Sequence, residues 1–132
     1  MDLTDAHVLV TGASRGIGAG LAREFRAKGA RVTLVARSAG PLEELAVELG
    51  GTAITADLTD AAVREGLIAR AEAEAGPVDV LVNNAGIDAT GALAATAPEE
   101  LARLVTLNLL TPMELSRQVV PGMIERGRGH VL

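Results

Sequence analysis

The sequence predicts an α/β fold built on a doubly wound parallel sheet, and three observations predict it. Short apolar runs alternate with segments of helical periodicity along the whole chain. The runs are nearly continuous in Val, Leu, Ile and Ala, as strands covered on both faces should be. Glycines, alone or with proline, punctuate the joints. Alternating strand and helix implies right-handed crossovers, with an expected strand order 3-2-1-4 and a stub of a fifth strand.

The elements follow in order. His7 to Thr11 is the first strand and ends in a glycine turn. From Ile17 to Lys28 the apolar residues Ile17, Leu21, Ala22 and Phe25 share one helical face, and Gly29 closes the helix. Arg31 to Ala36 is a second strand, Pro41 to Leu49 a second helix stopped by Gly50-Gly51, and Thr52 to Ala56 a third strand. Asp60 caps a third helix reaching about Ala75, before Gly76-Pro77. Val78 to Val82 is the fourth strand. A small-residue loop, Ile87 to Ala97, leads to a helical region from Pro98 to about Arg126, interrupted by a break and ended by Gly127 to Gly129. His130 to Leu132 begins a fifth strand. The 98–126 region carries apolar residues on more than one face, so one side is expected to cover the sheet and the other to meet a second copy of the chain.

Composition narrows the function. With 132 residues the chain is one domain, and its hydrophobic content of 48% includes a single aromatic, Phe25, so the core must be aliphatic. A net charge of −5 argues against a general hold on nucleic acid or an anionic membrane. There is no cysteine, and His7 and His130 stand too far apart in sequence for a metal-ligand cluster, so no metal site is expected. The acidic start, Met1 to Asp5, lacks the pattern of a signal peptide, and no apolar run reaches the roughly 18 residues of a membrane helix. The expected compartment is the cytoplasm.

The chemistry sits in two glycine-bearing turns. Thr11-Gly-Ala-Ser-Arg-Gly-Ile-Gly18 follows the first strand, and Asn83-Asn-Ala-Gly86 follows the fourth. A glycine turn between strand and helix gathers backbone N–H groups and the positive helix end at one point, an anion site suited to a pyrophosphate. Gly12 permits the turn, while Gly16 and Gly18 remove side chains that would block phosphates or hold the helix off the sheet. The G-x-x-x-G-x-G spacing differs from the common G-x-G-x-x-G, and the alternative reading is a helix cap without a ligand. In the expected strand order both turns flank the crevice where the winding reverses. Where a ribose-binding Asp or Glu would end strand two, this chain has Val35-Ala36-Arg37. Arg37 and Arg15 could clamp a 2′-phosphate, so NADP(H) is expected over NAD(H). Two solvated surface arginines are the alternative.

Through Thr11–Gly18, Asp57, Asn83–Gly86 and Asn108, in that order and approximate spacing, the sequence resembles the NAD(P)-dependent short-chain dehydrogenase/reductase family over essentially its whole length. The resemblance implies a Rossmann-type domain, a nucleotide cofactor and a small carbonyl or alcohol substrate. It implies cofactor contacts from Gly12, Ser14, Arg15, Gly16, Ile17 and Gly18, from Arg37, from Asp57 and Leu58 around the adenine, and from Asn84, Ala85 and Gly86. Asn108 matches the first member of the family's Asn-Ser-Tyr-Lys catalytic set. Pro112 has no N–H for the Asn108 carbonyl four residues back, which is thereby free to hold a water, or the site is a kink filled by packing.

One departure stands out. The chain contains no tyrosine, and its single lysine, Lys28, ends the first helix away from the crevice. The family's Ser and Tyr-x-x-x-Lys would lie beyond Leu132. The expectation is therefore one domain, residues 1–132, incomplete at its carboxyl end and inactive alone. The alternatives are a dinucleotide-sensing module and a half that pairs with another chain. Whether the reading frame continues past Leu132 would discriminate them.

Overall fold

A computed structural model describes all residues, Met1–Leu132. Five parallel strands, β1 (His7–Thr11), β2 (Arg31–Ala36), β3 (Thr52–Thr55), β4 (Val80–Val82) and β5 (His130–Val131), lie in the order β3-β2-β1-β4-β5. This is the expected winding, with the stub placed beside β4. Five helices connect or flank the strands: α1 (Gly16–Ala27), α2 (Ala39–Leu49), α3 (Ala61–Ala75), α4 (Pro98–Val105) and α5 (Thr111–Arg126). No helix is long and apolar enough to cross a membrane.

Register explains why the strands read as continuous apolar runs. Val8 stands opposite Val32 and Val80, and Val10 opposite Leu34 and Val82, and these pairs face α1 and α2 through Ala19, Ala22, Leu42 and Leu45. The alternate residues Leu9, Val35, Ile54 and Leu81 face the other way, onto Leu67, Ile68 and Ala71 of α3 and Leu115, Val119 and Met123 of α5. β1 and β4 are buried on both faces throughout, as is β2 from Val32 to Ala36, and full exposure is confined to Arg31, Thr55 and the β5 stub. Each fully buried Leu, Ile or Val contributes about 1.5–3 kcal/mol.

Punctuation works as the residue types dictate. Asp60 accepts from Ala62 N–H at 2.9 Å and Val63 N–H at 3.4 Å, and Gly50 and Gly127 close α2 and α5 in left-handed geometry, at φ 60° and 62°. β4 starts at Val80, later than expected, and Asp79, just before it, turns its side chain to the neighbouring strand. Its Oδ2 accepts from the His7 N–H at 3.0 Å, while Arg128 pairs with its Oδ1 at 3.2 Å.

The expected break near Asn108 is not a break. The chain passes from α4 to α5 through a π-helical segment, Thr106–Leu110, in which the Thr111 N–H donates to the carbonyl five residues back, that of Thr106. Pro112 removes the N–H that an α-helical turn would offer Asn108, and a widened turn keeps the helix continuous instead.

Candidate functional site

A cavity of about 530 Å³ opens at the carboxyl ends of β1, β2, β3 and β4. Every residue expected to touch a cofactor lines it except Gly18: Gly12, Ser14, Arg15, Gly16 and Ile17 from the first turn, Arg37 after β2, Asp57 and Leu58 after β3, and Asn84, Ala85 and Gly86 after β4. Ser38, Pro41, Ile87 and Leu107 also border it. Asn83 does not.

The three glycines of the first turn do different work. Gly12 sits at φ +64°, and a Cβ there would stand 2.8 Å from the Ala85 Cα and 2.9 Å from the Asn84 Nδ2, so it permits both the turn and the approach of β4. Gly16 sits at φ +57° with nothing within 4 Å of an added Cβ, leaving its side of the turn open. Gly18 is buried behind the turn, where a Cβ would collide with the Gly12 carbonyl. Of the two roles the sequence offered it, clearing phosphates or letting the helix approach, the contacts of Gly18 match the second: close packing of α1.

The open ends of two helices border the cavity. Neither α1, entered through Arg15, nor α2, entered through Ser38, has a side-chain cap or an acidic residue in its first turn. By contrast α3 is capped by Asp60, and α4 carries Glu99 and Glu100. The first-turn N–H groups of α1 and α2 are therefore free of competing protein carboxylates. Arg15 and Arg37 are the cations on the lining, and Asp57 is its carboxylate. The Thr59 hydroxyl and amide donate to the Asp57 Oδ1 at 2.7 and 3.0 Å and hold the carboxyl below the usual range. The positive charges of Arg37 and Arg103 act in the same direction.

The β4 side is held by the residue that opens the first motif, one to which the sequence assigned no role of its own. Thr11 Oγ1 donates to the Val82 carbonyl at 3.2 Å and accepts from the N–H groups of Asn84 and Ala85, at 3.1 and 3.0 Å. Asn84 Nδ2 in turn donates to the carbonyls of Thr11 and Gly12, both at 3.1 Å. Asn84 thus locks the two turns together while remaining on the cavity wall.

Asn108 lies outside the lining and acts on it through the backbone. Its Oδ1 accepts from the Ile87 N–H at 2.9 Å and its Nδ2 donates to the Ile87 carbonyl at 2.7 Å. Sequence reasoning also missed Arg64, which sits buried between α3 and the Asp57–Thr59 turn. An arginine in a helix reads as a solvated side chain, as Arg70 of the same helix is, and only the return of α5 beneath Arg64 reveals otherwise.

This geometry recurs in known proteins. A short-chain dehydrogenase from Streptomyces avermitilis superposes with a TM-score of 0.91 at 38% identity, covering 99% of this chain and 49% of that one. A metagenomic short-chain oxidoreductase solved in complex with NADP gives 0.90 at 39% identity, covering 99% and 62%. The bovine (Bos taurus) dehydrogenase/reductase SDR family member 7B is 40% identical over 97% of this chain and 43% of its own length. The chain spans about half the length of the curated relatives it matches. The family model for short chain dehydrogenases matches residues 6–132, and with it the fold, the paired glycine turns and the relatives converge on one statement: the chain belongs to the short chain dehydrogenase family.

Proposed function

We propose that the cavity binds NADP(H) in preference to NAD(H), and that these residues form the cofactor-binding portion of a cytoplasmic oxidoreductase interconverting a carbonyl and an alcohol. The observation that carries the reading is the charge of the lining: Arg15 and Arg37 stand on it, and Arg37 directly follows β2, where an NAD-selective site would place a carboxylate. The relative solved with NADP supports it.

The residues present fit such a group. Two left-handed glycines, one with open space on its Cβ side, and two uncapped helix ends offer backbone donors without steric or charge competition. Gly12, Ser14, Gly16 and Ile17 would hold the pyrophosphate, and Arg15 and Arg37 the 2′-phosphate. Asp57 and Leu58 would receive the adenine, and Asn84, Ala85 and Gly86 the nicotinamide ribose. When bound, the cofactor supplies or accepts a hydride. Asn108 fixes Ile87 on the wall, and its own carbonyl, denied an α-helical N–H by Pro112, would hold a water for proton delivery. With no tyrosine in the chain, the group that protonates the carbonyl oxygen is not among these residues, and the chain alone would bind without turnover.

We also propose that copies of the chain pair through the 98–126 region. Leu101, Val105, Leu109 and Met113 recur every four residues and are all exposed.

Titration calorimetry with NADPH and NADH tests the cofactor. A charge-assisted clamp on one phosphate predicts NADPH binding tighter by about tenfold or more. Equal affinity, or tighter NADH, would reject the preference.

A further inference from the structure

We propose that Arg64 is a positioning residue that sets the Asp57 carboxylate on the cavity wall, and that Glu114 extends this control to the helix carrying Asn108. The inference rests on the cofactor reading above and assigns a role to two residues outside the cavity.

Arg64 is 4% exposed, a burial that a guanidinium tolerates only when its donors are used. Its Nη1 donates to the carbonyls of Leu58 and Thr59, each at 3.0 Å, and its Nε donates to Glu114 Oε2 on α5 at 2.6 Å. The two carbonyls belong to the turn after β3, the turn in which Asp57 accepts from Thr59. Holding both carbonyls inward fixes which way the peptides of that turn face, and so presents Asp57 and Leu58 to the cavity.

A second hydrogen bond reaches the same carbonyl. The Thr111 hydroxyl at the start of α5 shares its one proton between the Thr106 oxygen at 2.8 Å, in the π-helical segment, and the Leu58 oxygen at 3.2 Å. Gln118 Nε2 donates to the Arg64 carbonyl at 3.0 Å. The Asp57–Thr59 turn is thus bound to α5 through Arg64–Glu114 and through Thr111, and α5 continues from the segment in which Asn108 pins Ile87. The polar set around Arg64 and the Asn108–Ile87 pair are thus carried by one continuous helical run, Thr106–Arg126.

A double-mutant cycle tests this, with NADPH affinity read by calorimetry on the folded chain. Asp57→Asn keeps an acceptor for Thr59 and removes the charge; it is expected to weaken NADPH about tenfold. Arg64→Met is expected to weaken it by a similar factor, and the pair together no more than either alone, because both act through one carboxylate. Arg64→Lys is expected to recover part of the loss. Should Arg64→Met not fold, Glu114→Gln replaces it in the cycle, with a loss of about threefold that disappears in the Asp57→Asn background. A purely structural arginine would lower the melting temperature while its effect on affinity multiplied with that of Asp57→Asn, and multiplicative effects would overturn the proposal. A wild-type chain that does not bind NADPH would instead overturn the cofactor reading beneath it.

Discussion

Asn108 grips Ile87 at both ends of its amide, accepting from the N–H at 2.9 Å and donating to the carbonyl at 2.7 Å. The side chain therefore fixes the loop after β4, while its carbonyl is the one that Pro112 deprives of an α-helical donor. Asn108→Ala is predicted to lose about 1 kcal/mol of stability, the worth of solvent-accessible hydrogen bonds. Amide exchange at Ile87 should rise in the variant. A native exchange rate there would remove Asn108 from any role in holding the loop.

The glycines of the first turn are predicted to separate by function. Gly18→Ala drives a methyl into the Gly12 carbonyl and is expected to destabilise the fold by more than about 3 kcal/mol. Gly16→Ala meets open space and costs only the left-handed backbone, about 1 kcal/mol, yet should weaken NADPH binding through the turn it distorts. Urea melts and calorimetry on both variants check this; equal destabilisation would contradict it.

His7 makes stability depend on pH. Its ring is buried, with Nδ1 donating to the Gly76 carbonyl at 2.7 Å and Nε2 facing the Thr33 hydroxyl at 2.8 Å, an arrangement met by the neutral imidazole. Burial pushes its pKa down, and the Arg31 charge adds to this, against opposing hydrogen bonds to the Gly76 and Pro77 carbonyls and the Asp79 charge. The folded pKa thus lies below the unfolded value of about 6.5. The contribution is fully present above that value and is lost as pH falls through it toward the folded pKa. The urea midpoint should drop between pH 7.5 and 5.5, and His7→Gln should flatten that drop. An equally steep decline in the variant would assign the effect to other groups.

The periodicity and punctuation of the sequence made the strand order legible, because Val, Leu and Ile fill both faces of β1 and β2 and Gly50, Gly127 and Asp60 act locally. The cavity lining was legible for the same reason: a turn that gathers backbone donors needs glycine at Gly12 and Gly16 whatever surrounds it. What escaped notice depends on contacts distant in sequence. For Gly16 and Gly18 the sequence left open which one clears a ligand and which one lets the helix pack, and only α1 seen against Asn84 separates them. Arg64 is explained only by Glu114, fifty residues away. The π-helical segment answers both Pro112 and the Thr111 hydrogen bond to Leu58, and no local pattern announces the latter.

The exposed face of α4 and α5 predicts association. At tens of micromolar the chain is expected to sediment as a dimer or larger, and Met113→Lys, placing a charge on a side chain that is 60% exposed, should yield a monomer without loss of stability. A wild-type monomer would contradict this.

The most direct measurement follows the backbone amides while NADPH is added to isotope-labelled chain. Saturable shifts largest at Ser14, Gly16 and Ile17, accompanied by Arg37 and Asp57, are the predicted result. Amides from Gly12 to Gly18 that stay unmoved at saturating nucleotide would contradict the account.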